Sequence, residues 1–297
     1  TSENRYRDNN GNGYLQGELL SATDQTRQYV EGFAKLDIDF SSRFNFKFGL
    51  ATNSTTYQIT DNFSNPEFSQ TGDFKYDQVW LPNIAGSYSL TNNQKLSASI
   101  SKGFSVPTVE QSLTEEGVFN TNLRPEKGWS YEIGYKSKWF EDKLFAEVNA
   151  YYMDVENLLV ARRVAEDRFV GINAGSTSHP GVEFSVKSNL TYKSWLSLQP
   201  YINGSLNFYE FDDFVDQGNS FSGNDLTGVP SSQFSFGLDA QLQDRFYVYF
   251  QTNAVSSIPV NDANTVFSEA YAFSNIKLEY RFSILKTLSA SVNFGVN

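Results

Sequence analysis

The chain has 297 residues, a formal net charge of −11 and no cysteine, so it holds no disulfide, no zinc–thiolate site and no thiol nucleophile. Hydrophobic content is only 39% while aromatics reach 16%, which fits apolar residues spread as a thin skin rather than a thick core. The acidic balance argues against nucleic acid as a partner, and a single histidine, His179, excludes a multi-histidine metal centre.

In chain order, the polar, Asn- and Gly-rich opening Thr1–Thr26 reads as loop. The first strand is expected over Tyr29–Phe40, where Ala34, Leu36, Ile38 and Phe40 alternate with Lys35, Asp37 and Asp39. A turn at Ser41–Arg43 leads to Phe44, Phe46, Phe48 and Leu50. Ile84–Leu90 and Leu96–Phe104 follow, joined by Thr91-Asn92-Asn93-Gln94, a tight-hairpin sequence. Trp129–Trp139 sets Trp129, Tyr131, Ile133 and Tyr135 against Ser130, Glu132, Gly134 and Lys136. The same period of two returns at Leu144–Tyr152, Val182–Lys187, Leu196–Leu206, Phe234–Gln241, Phe246–Gln251, Ile276–Tyr280 and Leu288–Gly295. About twelve strands result, and the fold class is all-β.

Short connections fall near residues 42, 92, 141, 193, 244 and 284; long ones cover Ala51–Gln78, Ser105–Lys127, Val160–Pro180, Glu210–Pro230 and Ala254–Tyr271. In an antiparallel meander this alternation puts every short turn at one end and every long loop at the other, as in outer-membrane barrels. Aromatics gather at both ends: Phe40, Phe44, Tyr88, Trp139, Phe140, Phe145, Trp195, Phe246, Tyr280 and Phe282 near short turns, and Phe104, Tyr152, Phe208, Phe250 and Tyr271 near long loops. Two belts flanking an aliphatic band match the two interfaces of a bilayer. A soluble sandwich has shorter strands, and a propeller has four short strands per repeat. The expectation is a transmembrane antiparallel β-barrel with its apolar face toward lipid and its Ser, Asn, Gly, Lys and Glu toward the lumen. The last strand stops at Asn297 without a closing partner. Residues 1–297 are therefore expected to be part of a larger barrel domain, or to meet another chain at their edges.

Gly103-Phe104-Ser105-Val106-Pro107-Thr108-Val109-Glu110, followed by Asn122-Leu123-Arg124-Pro125-Glu126-Lys127-Gly128-Trp129-Ser130-Tyr131-Glu132, resembles the paired boxes of TonB-dependent outer-membrane receptors. Ile172-Asn173-Ala174-Gly175, Gly181-Val182-Glu183, Leu226-Thr227-Gly228-Val229-Pro230 and Asn293–Asn297 resemble further family segments. The nearest variant is the iron-complex, ferric dicitrate-like group of Bacteroidetes-type bacteria. The resemblance implies a 22-stranded barrel in the bacterial outer membrane, with a plug and a TonB-contacting segment ahead of the part seen here. It implies uptake of an iron chelate, coupled to TonB through the absent plug region. A passive porin, or a receptor for cobalamin or an oligosaccharide, is the alternative. No catalytic residue, metal site or cofactor is assigned, since neither a nucleophile elbow nor a phosphate-cradling glycine loop is found.

Candidate ligand contacts are Arg162, Arg163 and Arg168, three guanidinium groups in one outer segment of an acidic protein. Their planar forks suit carboxylates and anionic chelates; salt bridges between loops are the competing reading. Tyr209 and Phe211 are expected as aromatic walls. The acidic run Glu210, Asp212, Asp213, Asp216 and Asp225 reads as a solvated loop, its spacing matching no calcium loop. His179 is expected to be a solvated loop residue; the resemblance implies a histidine between the two boxes in members that take heme, and Ser105–Thr121 holds none, which argues against heme ligation there.

Overall fold

The computed structural model describes residues 2–7, 19–62, 71–108, 112, 120, 122–165, 168–173, 175–192, 195–216, 218–285 and 287–297, with backbone alone for 2–7, 19–21, 161–165 and 168–169. In chain order the strands are β1 (Ser2–Arg7), β2 (Leu19–Asp39), β3 (Phe44–Asp61), β4 (Gly72–Lys75), β5 (Val79–Thr91), β6 (Gln94–Ser105), β7 (Glu126–Trp139), β8 (Leu144–Glu156), β9 (Leu159–Ala165) and β10 (Arg168–Asn173). They continue as β11 (Ser176–Ser188), β12 (Leu190–Tyr192), β13 (Leu196–Asn207), β14 (Glu210–Asp213), β15 (Val215–Asp216), β16 (Asn219–Ser220), β17 (Ser232–Leu242), β18 (Phe246–Val255), β19 (Tyr271–Leu285) and β20 (Leu288–Val296). The wall is the hydrogen-bonded path β1-β2-β3-β5-β6-β7-β8-β11-β13-β17-β18-β19-β20. Every neighbouring pair along it is antiparallel.

Register explains why the alternation works. Phe48 stands opposite Ile84, Ile84 opposite Ile100, Ile100 opposite Tyr131, and Tyr131 opposite Tyr152. Further round, Val186 faces Ile202, Ile202 faces Phe236, and Leu278 faces both Val248 and Phe294. One apolar band therefore crosses the whole wall, and a slip of one residue on any strand would reverse its faces. The band stays uncovered, with Ile133 59% and Val292 62% exposed, as a surface solvated by lipid requires. The opposite face is polar: Lys136 pairs with Glu147 across strands at 3.1 Å, and Ser185 donates to Asn203 Oδ1 at 2.7 Å. The buried apolar residues lie instead at the long-loop end, among them Tyr57, Ile59, Tyr76, Val79, Leu123, Val155, Phe211 and Phe214.

Three expectations change. The opening is not all loop, because Ser2–Arg7 pairs with the start of β2, and β2 begins at Leu19 rather than Tyr29. The segment Ala51–Gln78 is not a loop throughout: β3 runs on to Asp61, with backbone pairing sustaining a strand whose outward residues are polar. Two aromatics are not in the outward belt: Tyr271 pairs with Val255 on the polar-face parity of Lys277, and Phe145 stands opposite Lys138 and Lys187 on the polar-face parity of Glu147. The short turns near 42, 92, 141 and 244 form as expected; those near 193 and 284 include residues outside the described ones. Thr91 pairs with Gln94 around a two-residue turn, and Phe44 N–H donates to Ser41 Oγ at 3.1 Å. At 140–142 the positive φ angles of Phe140, Glu141 and Asp142 reverse the chain.

Candidate functional site

At the long-loop end, the segment after β13 continues alongside the outer end of β11 and gathers a small roof of rings there, with Phe211 opposite Thr177 on the polar-face parity. Phe211 and Phe214 stack with ring centroids 4.8 Å apart, and Phe221 adds a third ring 5.6 Å from Phe214. Leu158, Val160 and Leu226 pack around them, so apolar side chains from three separate segments share one dry centre. Backbone bonds hold this unit together: Phe211 N–H to Asn224 O at 3.0 Å, Gly223 N–H to Phe211 O at 2.7 Å, and Leu226 N–H to Tyr209 O at 2.9 Å. β14 is added to the outer end of β11, with Thr177 opposite Phe211 and Ser178 opposite Glu210. Gly175 lets the two chains approach. Its φ is +65°, and a Cβ there would run into the carbonyl oxygen of Asp213.

Beneath this roof lies a cluster of rings and polar groups. Tyr151 of β8, His179 of β11 and Tyr209 are brought together. The Tyr151 and Tyr209 hydroxyls are 2.8 Å apart, Tyr151 reaches Asn207 Oδ1 at 3.2 Å, and Asn207 Nδ2 donates to Pro230 O at 2.9 Å. The His179 ring stacks on Tyr209 at 4.6 Å, and its Nε2 shares a hydrogen with Thr177 Oγ1 at 2.8 Å. Gly181, opposite Tyr151, leaves room for the phenol to lie across the strand; a Cβ there would collide with it. Phenol, imidazole and amide groups so arranged bind by ring stacking and hydrogen bonding.

His179 is thus 8% exposed, not the solvated loop residue expected from its Ser-His-Pro context. It pairs with Met153, one residue beyond the belt position where Pro180 meets Tyr152. Burial pushes its pKa below the ordinary 6.5, with the Asp212 carboxylate acting weakly in the opposite direction. An undocked imidazole binds protons more readily than the docked one, so the contribution of the docked ring is full above pH 6.5 and is lost as pH falls through the lowered pKa. Amide exchange at Phe211 and Leu226, corrected for intrinsic rates, should therefore accelerate between pH 7.5 and pH 5. His179→Gln should flatten that dependence; an unaltered profile in the variant would remove His179 as its origin.

Two further ties fix the mouth. Asn173 Oδ1 accepts from Arg124 N–H at 2.8 Å, and its Nδ2 donates to Arg124 O and to Asn157 O, both at 2.9 Å. One side chain thereby joins the segment before β7 to the β8–β11 connection. Between β17 and β19, Asn264 Oδ1 accepts from Asp225 N–H at 2.7 Å and its Nδ2 donates to Asp225 O at 3.0 Å; Thr227 donates to Asp262 Oδ1 at 2.6 Å. Across the wall, Tyr57 donates to Pro107 O at 2.7 Å and meets Tyr76 edge-on. Burial, with Tyr57 beside it, pushes the Tyr76 hydroxyl up to about 12.

Of the sequence candidates, Tyr209 lies at the centre of the ring cluster. Phe211, expected as an aromatic wall, is 2% exposed and belongs to the core of the roof. Arg162, Arg163 and Arg168 sit on the β9–β10 hairpin, opposite Val170, Phe169 and Ala165; their side chains lie outside the described residues. The acidic residues Asp212, Asp213 and Asp225 are exposed as expected. Tyr151, Thr177 and Asn173 were missed. Tyr151 had a readable signal: an aromatic residue at a polar-face position, in phase with Glu147 and Asn149. Thr177 had none, since its partner His179 was itself read as solvated; Asn173 stood in the family-like Ile172–Gly175 segment, but its partner Arg124 is 49 positions away.

The fold has solved counterparts. The ferric citrate transporter FecA in its unliganded form superimposes with a TM-score of 0.75 at 16% identity, covering 98% of this chain and 44% of that one. The siderophore receptor PiuA from Acinetobacter baumannii gives 0.70 at 13% identity, covering 91% and 39%. The copper transporter OprC gives 0.69 at 14% identity, covering 92% and 42%. The chain thus spans less than half the length of these structures. Residues 1–297 match the family described as TonB dependent receptor-like, beta-barrel. A match over every residue, on a wall with this outward apolar band, makes the chain a member of that family, whose barrels are outer-membrane transporters and not enzymes.

Proposed function

We propose that this wall belongs to a receptor that takes up an iron chelate across the bacterial outer membrane, driven through TonB by way of a plug. The observation that carries the reading is the ordered loop assembly at the long-loop end, with its rings on the polar-face side. Loops held by Asn173, Asn264 and the Phe211–Phe214 core frame a mouth with Tyr209, His179 and Tyr151 beneath it. Such order suits recognition, since pre-arranged groups lose little entropy on binding. Ferric citrate and siderophore receptors among the structural counterparts agree with it. The nearest variant by sequence resemblance is the ferric dicitrate-like group of Bacteroidetes-type bacteria, and we take the chain to be of that kind. The sheet has two free edges, β1 and β20. In a bilayer such edges are paired, so we take residues 1–297 as a partial barrel domain, the C-terminal portion of a 22-stranded barrel closed by further strands.

Within this reading Arg162, Arg163 and Arg168 supply cationic forks from the β9–β10 hairpin, Tyr209 supplies a ring and a hydroxyl, and Phe211 holds the roof. The test is quenching of intrinsic fluorescence of the intact receptor by ferric citrate. Arg162→Ala/Arg163→Ala/Arg168→Ala should weaken binding about tenfold or more, as expected for loss of charge-assisted hydrogen bonds; Tyr209→Ala should weaken it less. Unchanged affinity in both variants removes these residues from the site. Uptake of ferric citrate that persists without TonB would favour a passive channel instead.

A further inference from the structure

The outward face of the wall carries a charge anomaly. Among the described side chains of the strands that form the wall path, Lys102 of β6 and Lys127 of β7 are the only cations at outward positions; Lys75, opposite Thr56, stands on β4 off that path and far beyond the lipid boundary. The others, from Arg27 on β2 to Arg281 on β19, share the parity of the polar face. The two lysines are diagonal neighbours: Lys102 stands opposite Trp129, and Phe104 opposite Lys127. Lys102 Nζ lies 5.4 Å from the centroid of the Trp129 ring. Both are half-buried, and neither joins an ion pair among the described residues.

Their height is specific. Ile100, Tyr131 and Tyr152 form one cross-strand row, with the two tyrosine rings 6.4 Å apart. Lys102 and Trp129 lie one outward step above that row, about 7 Å along the strands. A tyrosine–tryptophan belt marks the interface, so the step above it is the level of lipid head groups. Trp80, 55% exposed on the outward parity of β5, flanks the pair on the other side. Two carboxylates stand on the next strand, Asp154 opposite Trp129 and Glu156 opposite Lys127. They bound the patch on one side only; toward β5 the outward neighbours are uncharged.

We propose that Lys102 and Lys127, with Trp129 as a platform, form a clamp for a phosphate-bearing lipid head group of the outer leaflet. The two ammonium groups supply the charge complement of a phosphate. Trp129 holds Lys102 by a cation–π contact, Tyr131 meets the acyl–head-group boundary one step below, and Phe104 stands beside Lys127 one step above. The site is independent of the cargo, since it lies on the opposite face of the wall from Tyr209 and His179.

The experiment uses the intact receptor in neutral detergent, stripped of lipid and titrated with bisphosphorylated lipid A, its dephosphorylated form, and inorganic phosphate, read by native mass spectrometry. Bisphosphorylated lipid A should bind, and its dephosphorylated form much less. Lys102→Gln/Lys127→Gln should lower affinity about thirtyfold, from about a factor of five per surface lysine, while Lys102→Arg/Lys127→Arg should restore it. Heat-modifiable mobility in gels checks that each variant retains the barrel. Equal binding by the glutamine variant, or by the dephosphorylated lipid, overturns the clamp. Displacement of the lipid by millimolar inorganic phosphate would show a free-anion site and overturn the lipid assignment. Ferric citrate quenching should be unchanged in the glutamine variant, which separates this clamp from the uptake site.

Discussion

Gly175→Ala should undock the roof while leaving the wall intact. A non-glycine residue at a φ of +65° is strained by about 1–2 kcal/mol, but the larger effect is collision. The new methyl would meet a backbone atom, the Asp213 carbonyl, which no rotamer change can move. To relieve the clash, β14 has to leave β11 and break the Ser176–Asp213 and Thr177–Phe211 pairings. That withdraws Phe211 from Phe214 and lifts Tyr209 off His179. Amides of Phe211, Gly223 and Leu226 should lose protection by about a hundredfold or more, if some 3 kcal/mol of docking is forfeited. Heat-modifiable mobility should persist, because wall pairing from β2 to β8 does not involve Gly175. Protection unchanged from wild type would show that the roof tolerates the methyl and that its packing at Asp213 is loose.

Phe211→Ala should produce nearly the same loosening from the opposite direction. Phe211 is 2% exposed, at the meeting point of Phe214, Leu158, Val160 and Leu226. Truncating a buried phenylalanine costs about 3–5 kcal/mol where the surroundings cannot collapse. Here the loss falls on a loop assembly rather than on a whole domain, so local opening exceeds any change in barrel stability. Surface proteolysis of whole cells should cut within 209–226 far faster than in wild type. Phe211→Leu should retain most of the resistance, since it keeps the apolar volume. Ligand affinity should fall in Phe211→Ala although Phe211 presents almost no surface; an unchanged affinity with a loosened roof would separate the roof from binding.

The wall was legible because its physics is local and repetitive. A side-chain period of two together with alternating loop lengths defines faces, ends and order, and Phe48, Ile84, Ile100 and Tyr131 needed no knowledge of distant partners. The mouth was not legible for the same reason. Asn173 acts on Arg124, 49 positions away, and Tyr151 meets Tyr209, 58 positions away. His179 looked solvated beside a proline, yet register with Met153 and the stacked ring of Tyr209 bury it. Composition also misplaced Phe211: an aromatic in an acidic loop reads as an exposed wall, whereas its neighbours Phe214 and Phe221 give it a core of its own. The strand ends erred where polar Thr, Ser and Asn continued the pairing after the apolar pattern stopped, as in β3.

That continuation has a consequence for how a visitor is met. β3 runs eleven residues past Leu50, to Asp61, a further ~36 Å of backbone, or on the order of 28 Å of height at a typical barrel tilt. Its outward side chains there are Thr52, Ser54, Thr56, Gln58 and Thr60, and β2 stays paired with it as far as Asp61. The entrance on this side is a stiff palisade standing in water, above the level at which lipid ends. A molecule approaching the membrane on this side meets a rim of paired strands before it meets the bilayer.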